Sequence, residues 1–156
     1  MLKKLIIKNY ILIDSLTIEF NKGLSVITGE TGAGKSILVG ALSLLAGAKP
    51  DVKNISAGAT KSVVEGTFDI SNLPIKEKFE ENDIDYDPET IIRREINENG
   101  KSRAFINDTP VSVTILKEIA KYIIEIHSQH QNLLLADNTF QLDVIDMYSG
   151  NSNILS

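Results

Sequence analysis

Apolar residues fall along this chain in three rhythms, and each predicts a different element. Leu2 to Lys8 and Ser15 to Phe20 are short runs rich in Ile and Leu, with the turn formers Asn9 and Asp14 near their ends, as in strands. Leu24 to Thr28, after the turn Asn21-Lys22-Gly23, is a third run, apolar at 24, 26 and 27 and so apolar enough for a buried strand. From Lys35 to Ala46 apolar residues stand at 37, 38, 41, 42, 44 and 45, helical spacing nearly all round. Gly47 is placed to stop that helix in the left-handed conformation. A glycine-rich loop, Gly29 to Gly34, joins the third run to the helix. Strand, loop and buried helix form one unit.

Further on the rhythm loosens. Residues 47 to 61, with Gly47, Pro50 and Gly58, read as a surface loop, and Ser62 to Ile70 as another strand. Between Lys76 and Glu89 seven acidic residues outnumber two lysines, which predicts a solvated helix and loop rather than a docking face. Thr90 to Ile96 and Ser102 to Ile106 flank Asn97-Glu98-Asn99-Gly100-Lys101, a β-hairpin with Asn-Gly at its tip, and Asn107-Asp108 is a further turn. Val113 to Tyr122 has the period of a short amphipathic helix, and Ile123 to Ile126 reads as a buried strand leading into His127-Ser128-Gln129-His130-Gln131. Thr139 to Tyr148 reads as a last helix, capped by Asn138 and stopped by Gly150.

Composition narrows the function classes. At 156 residues the chain suits one domain and can bury a real core, which excludes wholesale disorder. Sixteen basic against 21 acidic residues give a net charge of −5, which argues against coating nucleic acid by bulk positive charge. With no cysteine, disulfides, thiolate zinc sites and cysteine nucleophiles are ruled out. The first residues carry charges too often for a signal-peptide core, and no apolar run is long enough to span a bilayer. A soluble, cytoplasmic protein with no membrane partner is the expectation.

One segment carries recognisable chemistry. Gly29-Glu30-Thr31-Gly32-Ala33-Gly34-Lys35-Ser36 matches G-x-x-x-x-G-K-[ST], the phosphate-binding P-loop. Glycines allow positive φ, so the backbone N–H groups can turn inward and form a nest for the β-phosphate. The loop feeds a helix N-terminus, whose unpaired N–H groups and dipole favour an anion. In this role Lys35 reaches the β- and γ-phosphates and the Ser36 hydroxyl takes one position on Mg²⁺. The expected ligands are thus ATP and Mg²⁺. The GTPase motifs D-x-x-G and N-K-x-D do not occur, which leaves a transport-type ABC subunit, a nucleotide or metabolite kinase, or a DNA-repair ATPase.

A resemblance chooses among these. Ile7 to Asp14, Gly23 to Leu38, the hairpin Gly100 to Asn107 and the stretch Ile126 to Gln131 resemble, in order and across nearly the whole chain, the RecN family of bacterial DNA-repair proteins. The last stretch is similar to that family's H-G-Q-H segment, with Ser128 in place of the glycine. This family belongs to the structural-maintenance-of-chromosomes (SMC) class, whose ABC-type ATPase head is split into two halves by a long coiled coil. The resemblance implies that residues 1 to 156 are the N-terminal half-head, without the coiled coil or the C-terminal half. It implies an α/β fold, a P-loop NTPase N-terminal lobe: a mixed sheet carrying the P-loop helix, plus an antiparallel β layer. Gly29, Glu30, Thr31, Gly32, Ala33, Gly34, Lys35 and Ser36 would hold the triphosphate. Gln129 would be the glutamine-loop ligand of Mg²⁺, with Gln131 as the alternative in a loop spanning about 127 to 131. Asn9-Tyr10 resembles the N-F pair of SMC-class heads, although Ile11 stands where those heads carry a basic residue.

Function follows from the same source. The resemblance implies ATP-dependent double-strand-break repair and recombination near the nucleoid, with DNA bound through the full protein. Its partners would be the C-terminal half of the same head and a second head in a homodimer. No catalytic residue falls in this fragment, because an Asp-Glu pair and a signature segment are both missing, so hydrolysis by the chain alone should be negligible. Apolar surface should remain where the other half packs. His127 and His130 read as loop or packing histidines rather than metal ligands, and Leu133 to Asp137 as a buried helical turn. Arg93, Arg94, Lys101 and Arg103 cluster on one hairpin; a solvated β-face is the expectation, and a local DNA or nucleotide contact the alternative.

Overall fold

The computed structural model describes residues 1–28 and 33–126. Its contacts divide the chain at Glu125/Ile126, and the fold that follows is that of Met1–Glu125. In order come β1 (Leu2–Tyr10), β2 (Ile13–Glu19), α1 (Ala33–Leu45), a 3-10 turn (Val52–Asn54), β3 (Lys61–Asp69), α2 (Lys76–Glu80), β4 (Glu89–Asn97), β5 (Ser102–Ile106), β6 (Thr109–Val111) and α3 (Val113–Ile123). The six strands form one sheet in the order β2-β1-β3-β4-β5-β6, antiparallel at every step.

Alternation along the strands decides which face is buried. Val64 and Phe68 of β3, Ile92 and Ile96 of β4, and Ala104 and Ile106 of β5 all point to one side, where they meet residues of α1 and α3. Helix α1 contributes Ile37, Ala41, Leu44 and Leu45 to this core, and α3 contributes Leu116 and Ile119. Gly66 allows the close approach, because a Cβ there would stand 2.8 Å from Leu45 Cδ1 and 2.7 Å from Phe68 Cε2. The opposite face of the sheet stays half-solvated and carries ion pairs, as an antiparallel sheet with one covered face allows.

The local stops obey the expected chemistry. Gly47 takes φ 91° after α1; its N–H bonds Leu44 O at 3.0 Å and the N–H of Ala48 bonds Ser43 O at 2.9 Å, a Schellman closure. The β4–β5 hairpin turns at Gly100, with φ 76°. Asn107 and Asp108, with φ 46° and 63°, make the two-residue turn into β6, a short strand that the sequence pattern left undivided from its turn. Ser112 caps α3 by accepting from the N–H of Ile115 at 3.2 Å.

Two strand expectations fail. Residues 24 to 28 lie outside every ladder, with Leu24 93%, Val26 74% and Ile27 47% exposed. An apolar run becomes a strand only if a neighbour supplies hydrogen bonds and cover, and no described strand lies beside it. Ile123 ends α3 instead of opening a strand, because the helical stripe of Leu116, Ile119 and Ala120 continues to it. The α/β class holds, with the antiparallel layer complete among the described residues and the expected helix on its core face. The helix expected over 139 to 148 lies outside the described residues.

Candidate nucleotide site

Helix α1 opens inside the glycine motif. Ala33, Gly34, Lys35 and Ser36 form its first turn, while Gly29, Glu30, Thr31 and Gly32 lie outside the described residues, as do Gln129, Gln131, His127 and His130. Gly34, Lys35 and Ser36 are exposed, and the next residue, Ile37, is buried. The helix is therefore anchored by its apolar stripe directly behind a polar start. Its first amides have no intrahelical acceptor, and no carboxylate in the first turn competes for them.

Beside this turn lies a cleft of about 340 Å³ lined by Ile13, Leu16, Ile27, Thr28, Gly34, Lys35 and Leu38. One end is cationic and amide-rich; the walls are aliphatic. Such a cleft can take a ligand that is anionic at one end and flat and apolar at the other. Ser36 offers a hard hydroxyl oxygen, the ligand type Mg²⁺ uses together with phosphate oxygens and water. Among the described residues no cluster of three His, Asp or Glu side chains could hold a metal unaided. The donor set thus fits a cation that arrives with a polyphosphate. The motif pointed to Gly34, Lys35 and Ser36, but nothing in the sequence pointed to Ile13, Leu16 or Leu38, which only the packing of β2 and α1 brings beside them.

The basic hairpin cluster is dispersed. Arg94 shares the face of Ile92 and Ile96 and is 1% exposed. Its Nη2 donates to Ser102 Oγ at 2.8 Å, while Nε and Nη1 find no hydrogen-bond partner among the described residues. Burial holds its guanidinium below the ordinary arginine range. Arg93 faces the other way, 4.5 Å above the Phe105 ring and 3.2 Å from Asp108, with Glu95 at 3.6 Å and Glu65 at 3.9 Å. Lys101 and Arg103 are exposed. The solvated-face reading holds for Lys101 and Arg103 and, on the half-exposed face, for Arg93, but fails for Arg94, which alternation along β4 places on the core side with Ile92 and Ile96. The acidic stretch 76–89 is likewise solvated, anchored by buried Phe79 and Ile84.

A family model described as an AAA domain matches residues 4–154, and the chain belongs to this AAA domain family. Within it, the chain is 42% identical over 159 residues to the DNA repair protein RecN of Haemophilus influenzae, covering 99% of this chain and 28% of that protein. Against the DNA repair protein RecN of Bacillus subtilis it is 40% identical over 152 residues, covering 96% of this chain and 26% of the relative. The chain therefore spans about a quarter of the length of the curated relatives it matches. Among solved structures, one described as "Structural biochemistry of ATP-driven dimerization and DNA stimulated activation of SMC ATPases" superposes with a TM-score of 0.67 at 20% identity, over 93% of this chain and 97% of that one. At that identity the likeness establishes the fold alone, one shared with that SMC ATPase structure. The RecN resemblance read from the motifs is borne out.

Proposed function

We propose that this chain is the ATP-binding half of a split SMC-type ATPase head that serves DNA double-strand-break repair and recombination. One observation carries the reading. The P-loop sequence ends in the exposed first turn of a buried helix, beside a cleft, while the apolar run that feeds it is bare. A complete P-loop domain would cover that run with neighbouring strands on both sides. Here Leu24, Val26 and Ile27 wait for them. The RecN similarity, which runs along nearly the whole of this chain, supports the DNA-repair part of the reading.

In this reading the amides of 29–36 and the Lys35 ammonium bind the triphosphate, and Ser36 ligates the Mg²⁺ that accompanies it. Gln129, with Gln131 as alternative, is the second protein ligand. The aliphatic walls Ile13, Leu16 and Leu38 receive the base and ribose side. The Asp-Glu pair and the signature segment come from a C-terminal half-head and a second head, so hydrolysis needs both. ATP then holds two heads together and hydrolysis releases them. DNA is engaged through the assembled protein, in the cytoplasm at the nucleoid. Among the described residues no helix is long and apolar enough to cross a membrane.

The test compares ATP–Mg²⁺ binding and turnover by the 156-residue chain, alone and with a C-terminal half-head supplied. Binding should strengthen and turnover should begin only when the second half is present, and Lys35→Ala should abolish both. Turnover of several per minute by the chain alone, lost on Lys35→Ala, would refute the split head. No nucleotide binding in either state would refute the site.

A further inference from the structure

The turn between β1 and β2 holds two residues in the left-handed region, Asn9 with φ 52° and Ile11 with φ 54°. For Ile11, branched at Cβ, this is a strained conformation that persists only where the surroundings over-determine it. The segment 51–56 does so. Ile11 N–H donates to Asn54 O at 2.7 Å, Ser56 N–H to Asn9 O at 3.1 Å, and Ser56 Oγ to Ile11 O at 3.0 Å. Asn9 Nδ2 donates to Lys61 O at 3.0 Å.

The strain has a structural product. Simple alternation would send Tyr10 to the solvated face with Ile6 and Lys8. Positive φ at Asn9 breaks the alternation, and Tyr10 instead joins Leu5 and Ile7 in the core at 2% exposure. Its hydroxyl, accepting from Asn54 Nδ2 at 3.4 Å, rests against α1 at Gly40. A Cβ on Gly40 would lie 3.0 Å from that oxygen. Glycine inside a helix is less favourable than alanine, and this contact is a physical reason for it to stand here. The Tyr10 ring is 2% exposed and has little room to yield, so a methyl at position 40 creates a close contact that ring and helix must relieve by a few tenths of an ångström.

Helix α1 is a rigid rod, and Gly40 lies only about 6 Å along it from Ser36. Where Gly40 rests therefore sets where Lys35 and Ser36 stand. We propose that Tyr10 and Gly40 form a seat that positions the phosphate-binding end of α1. They are positioning residues that touch no ligand. This inference rests on the nucleotide-binding reading above and adds two residues to it.

The test uses protein from the whole reading frame, as wild type, Gly40→Ala, Tyr10→Phe, the double variant and Lys35→Ala. ATP–Mg²⁺ affinity is measured well below the melting temperature, and melting is measured without nucleotide. Gly40→Ala should weaken affinity about tenfold, the scale of a modest overpacking penalty. Its melting temperature should fall little, because alanine favours the helix. Tyr10→Phe removes the obstructing oxygen, so the double variant should bind within about twofold of Tyr10→Phe alone, well inside one decade of affinity. A merely structural role would lower melting and affinity together and show no rescue. If Gly40→Ala fails to fold while the double variant folds and binds, the seat is supported by the same logic. Affinity unchanged in Gly40→Ala, or a double variant no better than it, overturns the seat. When Lys35→Ala loses binding in the same series, that failure is the seat's alone; if Lys35→Ala binds like wild type, the P-loop reading falls first and takes the seat with it.

Discussion

The six-stranded sheet and the short run 24–28 are both rich in Ile, Leu and Val, yet they meet opposite fates. In the sheet each strand finds its neighbour within the chain, and Leu5, Ile7, Val64, Phe68, Ile92 and Ile96 are buried on one face. The run 24–28 has no ladder among the described residues, and Leu24 is 93% exposed. The difference lies in the kind of pattern. Alternation asks for cover on one face only, which two local helices can supply, and its polar positions tolerate water. A run that reads as a buried strand asks for cover on both faces and for strands on both sides, and no described strand lies beside this one. The sheet thus finds its partners among the described residues, and the run 24–28 does not.

Core truncation should show the contrast at its largest. Ile92→Ala, at the centre of the sheet, should cost about 2–5 kcal/mol in denaturant unfolding. Val26→Ser, chemically as severe on paper, should change stability by less than about 0.5 kcal/mol in the same assay. A large loss from Val26→Ser would mean the strip is already packed, and the comparison would fail.

The contrast can be sharpened within the sheet, between neighbours on its two faces. Arg94→Met removes a desolvated cation with two unsatisfied donors and keeps an apolar side chain of fair length, so unfolding should be neutral or about 1–3 kcal/mol harder. Arg93→Met gives up the Phe105 contact and half-exposed ion pairs, and should cost about 1 kcal/mol. A destabilised Arg94→Met would show that the hydrogen bond to Ser102 outweighs the cost of burying the guanidinium.

The smallest expected effect is a titration at the edge of β3. Asp69 accepts from Ser71 Oγ at 2.7 Å and from Ser71 N–H at 3.1 Å, and these bonds hold its carboxyl below the usual 3.8. A depressed carboxylate adds stability that is present above the unfolded value and is lost as pH falls through the folded one. The loss should therefore begin below about pH 4, the ordinary aspartate range. In Ser71→Ala the Asp69 side chain should titrate closer to its ordinary value by NMR. An unchanged titration would remove Ser71 as the cause.

Much of this was legible beforehand because it is local. The hairpin between Thr90 and Ile106, the helix closed at Gly47 and the glycine motif depend on backbone preferences within a few residues. The even positions of β4 also named a core face, but its chemistry contradicted itself. Ile92, Arg94 and Ile96 share one side, and an arginine there reads as an error until the sheet buries it. The cleft walls Ile13, Leu16 and Leu38 look like any other core residues in the sequence, since their role comes from where β2 and α1 meet.

The amino-acid order by itself determined the glycine motif, the class of fold and the family, because glycines, a lysine and a hydroxyl at fixed spacing are properties of consecutive residues. Tertiary structure alone decided which apolar runs became strands, which of two adjacent arginines went inside, and how Tyr10 came to rest on Gly40. Those outcomes depend on whether a distant element arrives to share hydrogen bonds and exclude water, and no short window of sequence contains that element.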